Sequence, residues 1–125
     1  MKKIETAKAP GAIGPYSQAI AKDGLLFVSG QLPLDPSTGE IVGANAAQQI
    51  EQSLKNMVAI AEAAGTSLDK TVKTTVLVTD LGEFAAMNDV YGRFFQDPYP
   101  ARACYQVVAL PKGARVEVEA VIALS

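Results

Sequence analysis

Residues 115–124, RVEVEAVIAL, alternate polar and apolar side chains through their first half. A period of two belongs to a strand, because successive side chains leave a pleated backbone on opposite faces. Val116, Val118, Ala120 and Ile122 form one side, which must be buried, and Arg115, Glu117 and Glu119 begin the other. The preceding run RACYQVVAL (102–110) also reads as a strand, and PKGA (111–114) separates the two. Taken as a four-residue loop, PKGA makes an antiparallel hairpin in which Leu110 opposes Arg115. Paired residues share a face. Ala103, Tyr105, Val107 and Ala109 then join the buried side, and Arg102, Cys104 and Gln106 join Glu117 and Glu119 on the other. That second face either meets water or, because Cys104, Val108, Val121 and Ala123 also lie on it, is partly covered by another subunit.

The rest of the chain supplies helices for the buried face. GLLFVSG (24–30) is a short apolar run between glycines, which predicts a buried strand after an extended segment that follows the Gly/Pro-rich opening. DPSTG (35–39) is a turn. Ile50, Leu54, Met57, Val58 and Ala61 recur at helical spacing, with Asn45 placed as N-cap and Gly65 as the stop. TVKTTVLVTD (71–80) is a β-branched strand, and a second helix is predicted from Gly82 to Gln96. Asp97-Pro98 and Tyr99-Pro100 end that helix, since proline disfavours a helical residue before it. The order is ββ-α-β-α-ββ: an α+β single domain over residues 1–125, with two helices on one sheet face.

Composition narrows the chemistry. There is no histidine and one cysteine, so Ser-His-Asp and Cys-His catalysis, His-containing zinc sites and thiolate zinc sites all lack their ligands or bases. An unpaired cysteine fits a reducing compartment, and the N-terminus has no apolar stretch after its lysines, so a cytoplasmic protein is expected. A net charge of −2 argues against general affinity for nucleic acid or anionic membrane.

Among the remaining polar residues, Arg102 offers a planar fork that binds a carboxylate or phosphate in two parallel hydrogen bonds; the alternative is a structural salt bridge to Glu117 or Glu119. Glu117 and Glu119, two apart on a strand, either divide acid and base work or form a solvated pair. Cys104 is a small buried hydrophobe or, less simply, a thiol activated by Arg102. Tyr16, Ser17, Ser29 and Gly30 sit beside loops, where they reach a ligand or merely form turns.

Four fragments in order, AIGPYSQAI, FVSGQLPLDPSTGEIV, KTTVLVTDLGEFAAMNDVYGRFF and YPARACYQVVALPKGARVEVEAVIA, resemble the Rid family of reactive-intermediate (enamine/imine) deaminases, also called the YjgF family. The likeness runs from about residue 4 to residue 124. It implies a chorismate-mutase-like fold and a homotrimer with ligand clefts between subunits. It also implies hydrolysis of 2-aminoacrylate and related enamines, through their imines (2-iminopropanoate, 2-iminobutanoate), to 2-keto acids and ammonia, without a cofactor. By position, Arg102 would hold the substrate carboxylate and Glu117 would orient or deprotonate water, assisted by backbone around Cys104. Tyr16, Ser29 and Gly30 would line the cleft, with Asn88 on the second helix. A non-catalytic 2-keto-acid sensor would use the same arginine, and family members have also been linked to ribonuclease and chaperone-like roles.

Overall fold

The strand 116–123 lies inside a six-stranded sheet, not at the end of a hairpin. The computed structural model describes residues 1–125. Its strands are β1 (Lys2–Ile4), β2 (Ala19–Lys22), β3 (Leu25–Gln31), β4 (Thr71–Val78), β5 (Ala101–Gln106) and β6 (Val116–Ala123), in the order β1-β2-β3-β6-β4-β5. Helices α1 (Ala46–Ala63) and α2 (Phe84–Gly92) carry the chain between β3 and β4 and between β4 and β5. All neighbours are antiparallel except β4 and β5, which run parallel.

The local expectations for α1 hold in detail. The Asn45 side chain accepts the Gln48 N–H at 2.9 Å, and the Gln48 side chain accepts the Ala44 N–H at 2.8 Å. The two side chains thus satisfy donors that a helix start leaves free. Gly65, at φ +81°, lets the chain turn out of the helix, and the Thr66 N–H closes back on Ala61. Ile50, Leu54, Met57 and Ala61, joined by Ile60, are fully buried against Leu26, Val28, Val76, Val78, Val116, Val118 and Ile122, whereas the expected Val58 is only half-buried at the edge of that core. Each large side chain there stabilises the fold by about 1.5–3 kcal/mol relative to exposure.

The hairpin expectation is wrong. β4-α2-β5 is a parallel crossover unit, which sets β5 on the outer side of β4 at the sheet edge. Strand character stops at Gln106, four residues before the expected end at Leu110. The segment 107–115 then crosses the end of β4, where the Val107 N–H donates to Val78 (2.8 Å) and the Thr79 N–H to Arg115 (3.1 Å). β6 therefore pairs with the other edge of β4, and with β3. Because Val76 opposes both Cys104 and Val118, Arg102, Cys104 and Gln106 share the helix-covered face with Val116, Val118 and Ala120. Tyr105, expected in the core, is 58% exposed on the opposite face, which also carries Glu117 and Glu119.

Two boundaries also differ from expectation. β1 went unpredicted because three residues carry no periodicity; it exists because β2 offers it an edge. The second helix is α-helical only to Gly92, after a 3₁₀ turn at Leu81–Glu83 that Asp80 caps through the Gly82 N–H.

Candidate functional site

The expected site residues fall into two groups on opposite faces of the sheet. The first is built where β5 meets α2. Arg102 projects from the edge strand towards the helix, and its Nη1 donates to Asn88 Oδ1 at 2.7 Å. The guanidinium carbon stands 4.8 Å from the Tyr91 ring centroid and 5.5 Å from that of Phe84. Both rings thus offer it their electron-rich faces. Asn88, Tyr91, Gly92, Tyr99, Pro100 and Arg102 line a cavity of about 450 Å³. No carboxylate pairs with Arg102, so the salt bridge to Glu117 or Glu119 does not form, and the remaining edge of its fork stays free for an anionic ligand.

The second group surrounds Glu117. Its carboxylate lies over Gly30, where a Cβ would overlap the carboxyl carbon at 2.8 Å. Burial pushes the Glu117 carboxyl above its ordinary range, and the neighbouring Glu119 charge adds to the effect. Tyr16, Ser29, Gly30, Glu117 and Glu119 line a larger open cavity of about 590 Å³. The loop that forms its wall is held from beneath by the buried Gln18, which accepts the Thr6 N–H (2.7 Å) and donates to the carbonyls of Thr6, Ala9 and Pro10 (3.0, 3.3 and 2.8 Å). Ser29 donates its hydroxyl to the Ser17 carbonyl, so it spends that hydrogen on the same loop. At the rim, Lys112 Nζ donates to the Gly39 carbonyl at 2.7 Å and ties the two flanking loops together.

The position of Gly30 yields a direct expectation. Gly30→Ala must displace the Glu117 carboxylate, since the added methyl and the carboxyl group claim the same space. The variant should fold, with any turnover that uses the Glu117 carboxylate reduced, which steady-state kinetics would read.

Cys104 is half-buried and packs against the core beside Val76. Its thiol is pushed up by burial, which outweighs the opposing pull of the Arg102 charge. A thiol held protonated is a poor nucleophile. Cys104→Ala should therefore leave turnover near wild type in the same assay. No three His, Cys, Asp or Glu side chains come together as a candidate metal site, and no helix is long and apolar enough to cross a membrane.

Sequence reading missed Tyr91, Phe84 and Thr74 as parts of the Arg102 site, and Gln18 and Lys112 as supports of the other. Buried rings on an amphipathic helix read as core, which hides Tyr91 and Phe84. The available signal was spacing: Phe84, Asn88 and Tyr91 recur at i, i+4 and i+7, so the asparagine shares its face with two rings.

The family model described as Endoribonuclease L-PSP, another name for the Rid or YjgF family, matches residues 6–124. The chain belongs to the Rid family. It is 68% identical to the RutC family protein y4sK of Sinorhizobium fredii, over 100% of this chain and 99% of that one. It is 52% identical to human 2-iminobutanoate/2-iminopropanoate deaminase, over 94% of this chain and 86% of the relative. Among solved structures, Escherichia coli TdcF with bound serine superposes with a TM-score of 0.93 at 45% identity, covering 100% of both chains. The mixed sheet with two helices on one face is the architecture of these Rid proteins.

Proposed function

We propose that this Rid protein hydrolyses the imine tautomers of small enamines, 2-iminopropanoate and 2-iminobutanoate, to 2-keto acids and ammonia. The observation that carries the reading is the division of the site. A carboxylate receptor, Arg102 with Asn88, and a carboxylate of raised proton affinity, Glu117 over Gly30, each line an open cavity, on opposite faces of one sheet. One copy cannot bring them together around a small molecule, but two copies can. We infer a homotrimer in which Arg102 of one copy faces Glu117 of the next. Support comes from Phe27 and Tyr105, large apolar side chains exposed on the open face, and from the human relative named as a deaminase of these imines. The bound serine in TdcF, an amino acid with one carboxylate, fits the same receptor chemistry.

The chemistry follows from the groups. The imine carbon is already electrophilic, so the protein needs to hold the substrate and poise a water rather than supply a strong nucleophile. Arg102 takes the carboxylate in two parallel hydrogen bonds. Glu117 accepts a proton from water as the C–O bond forms and the C=N electron pair moves to nitrogen, and then delivers that proton to the nitrogen. In the collapse of the carbinolamine Glu117 takes the hydroxyl proton and returns it to the amino group, so the carbonyl forms, the C–N bond breaks and ammonia leaves. Cys104 takes no part through its thiol, and an unpaired cysteine fits the reducing cytoplasm as the site of action.

Serine or threonine dehydratase, which releases such enamines, tests the reading when coupled to this protein. Faster formation of pyruvate or 2-oxobutanoate on adding wild type is expected. No acceleration across several enamine donors would overturn the enzyme assignment, and binding of 2-keto acid without acceleration would make the protein a sensor.

A further inference from the structure

Arg102 is held by more than its hydrogen bond to Asn88. Thr74 on β4 is the register partner of Arg102 on β5, and its buried hydroxyl is hydrogen-bonded to the Tyr91 hydroxyl at 2.7 Å. Tyr91, itself 5% exposed, also packs on Phe95 with ring centroids 4.7 Å apart. A phenol anchored at its hydroxyl and on one side cannot turn, so the face it offers the guanidinium at 4.8 Å is fixed. We propose that Tyr91, locked by Thr74, is a positioning residue that sets the plane of the Arg102 guanidinium and so aims its free edge at the ligand carboxylate. The inference rests on the carboxylate-receptor role given to Arg102 above. Its physical content is preorganisation: an arginine already held loses less side-chain freedom when the ligand arrives. Asn88 fixes one nitrogen and the ring fixes the plane, so the fork retains one orientation.

The loss of such a face should appear in binding and not in the chemical step, because the carboxylate contact is the same in ground and transition states. Tyr91→Phe and Tyr91→Leu both remove the hydroxyl and leave Thr74 without its partner, so comparing them isolates the ring face. Titration with 2-oxobutanoate should give Tyr91→Leu affinity weaker by about two- to fivefold, the scale of an exposed cation–π contact, and Tyr91→Phe affinity between the two, since it keeps the ring but loses the Thr74 anchor. On imine substrate, KM should rise for the leucine variant with kcat little changed. In the free protein, NMR should show the Arg102 Nη groups rotating slowly in wild type, faster in Tyr91→Phe and averaged in Tyr91→Leu. Equal affinity and equal guanidinium exchange in the folded phenylalanine and leucine variants would overturn the proposal. Should Tyr91→Leu fail to fold, Tyr91→Met removes the ring with less loss of volume, and affinity and exchange there equal to those of Tyr91→Phe would overturn it equally. The NMR and titration readouts need no turnover. A wild type that binds 2-oxobutanoate without hydrolysing imine therefore refutes the deaminase reading alone.

Discussion

Arg102→Ala is expected to lower kcat/KM for imine hydrolysis by about 10²–10³-fold, the loss of two charge-assisted hydrogen bonds at roughly 1.5–3 kcal/mol each before compensation by water. Arg102 is exposed on an edge strand and makes no ion pair, so the variant should keep its thermal stability. Arg102→Lys supplies the decisive contrast. It preserves the charge but loses the planar fork, and an ammonium stacks less well on the Tyr91 and Phe84 rings. Its activity should fall between wild type and alanine. Full activity in Arg102→Lys would show that charge alone suffices, and full activity in Arg102→Ala would remove the carboxylate receptor from the account.

Glu117→Gln carries the second large effect. It keeps the shape over Gly30 but cannot take a proton, so kcat should fall by about 10²–10⁴-fold, the range for a lost general base, while 2-keto-acid affinity changes little. The pH dependence has a defined sign. The carboxyl is raised by burial and by Glu119, so the acid limb of kcat/KM should lie above the ordinary glutamate value of 4.5. Stability moves the other way. Between the unfolded value near 4.5 and the raised folded value, the native state holds more protons than the unfolded one. The stability linked to Glu117 is thus full below that window and is lost as pH rises through the folded value. Glu117→Gln should therefore stabilise the protein at pH 7 relative to wild type, more than it does at pH 4, in paired denaturant titrations. An unchanged kcat would leave Glu117 outside the chemistry, and a stability difference of the opposite pH trend would contradict its burial.

The elements most legible in the sequence are those whose signals are local. Asn45 and Gly65 bracket α1 because a cap needs only its own first or last turn. The apolar side of β6 is readable because Val116, Val118, Ala120 and Ile122 alternate without a break. The partner of β5 is not local information. RACYQ pairs as well on paper with β6 as with β4, and only the short α2 crossover, which returns the chain beside β4, decides between them. That choice moves Arg102 and Cys104 to the opposite face from Glu117. A hairpin would join all three on one surface, open to water or partly covered by a second subunit. The folded chain separates arginine and glutamate by the sheet, so a site that uses both requires a second copy. Tyr91 hides for a related cause. A buried aromatic on a helix looks like core, and its hydroxyl acquires meaning only once Thr74 and Arg102 are known to lie side by side.

The central claim is that Arg102 and Glu117 act together only across two copies. Mixing Arg102→Ala and Glu117→Gln chains in equal amounts, unfolding and refolding them together, and assaying imine hydrolysis tests it most directly. In a closed ring with random assortment, about a quarter of the interfaces combine an intact arginine with an intact glutamate, so about a quarter of wild-type activity should return from two inactive parents. Mixed assemblies, verified by mass, that stay as inactive as either parent would contradict the shared site.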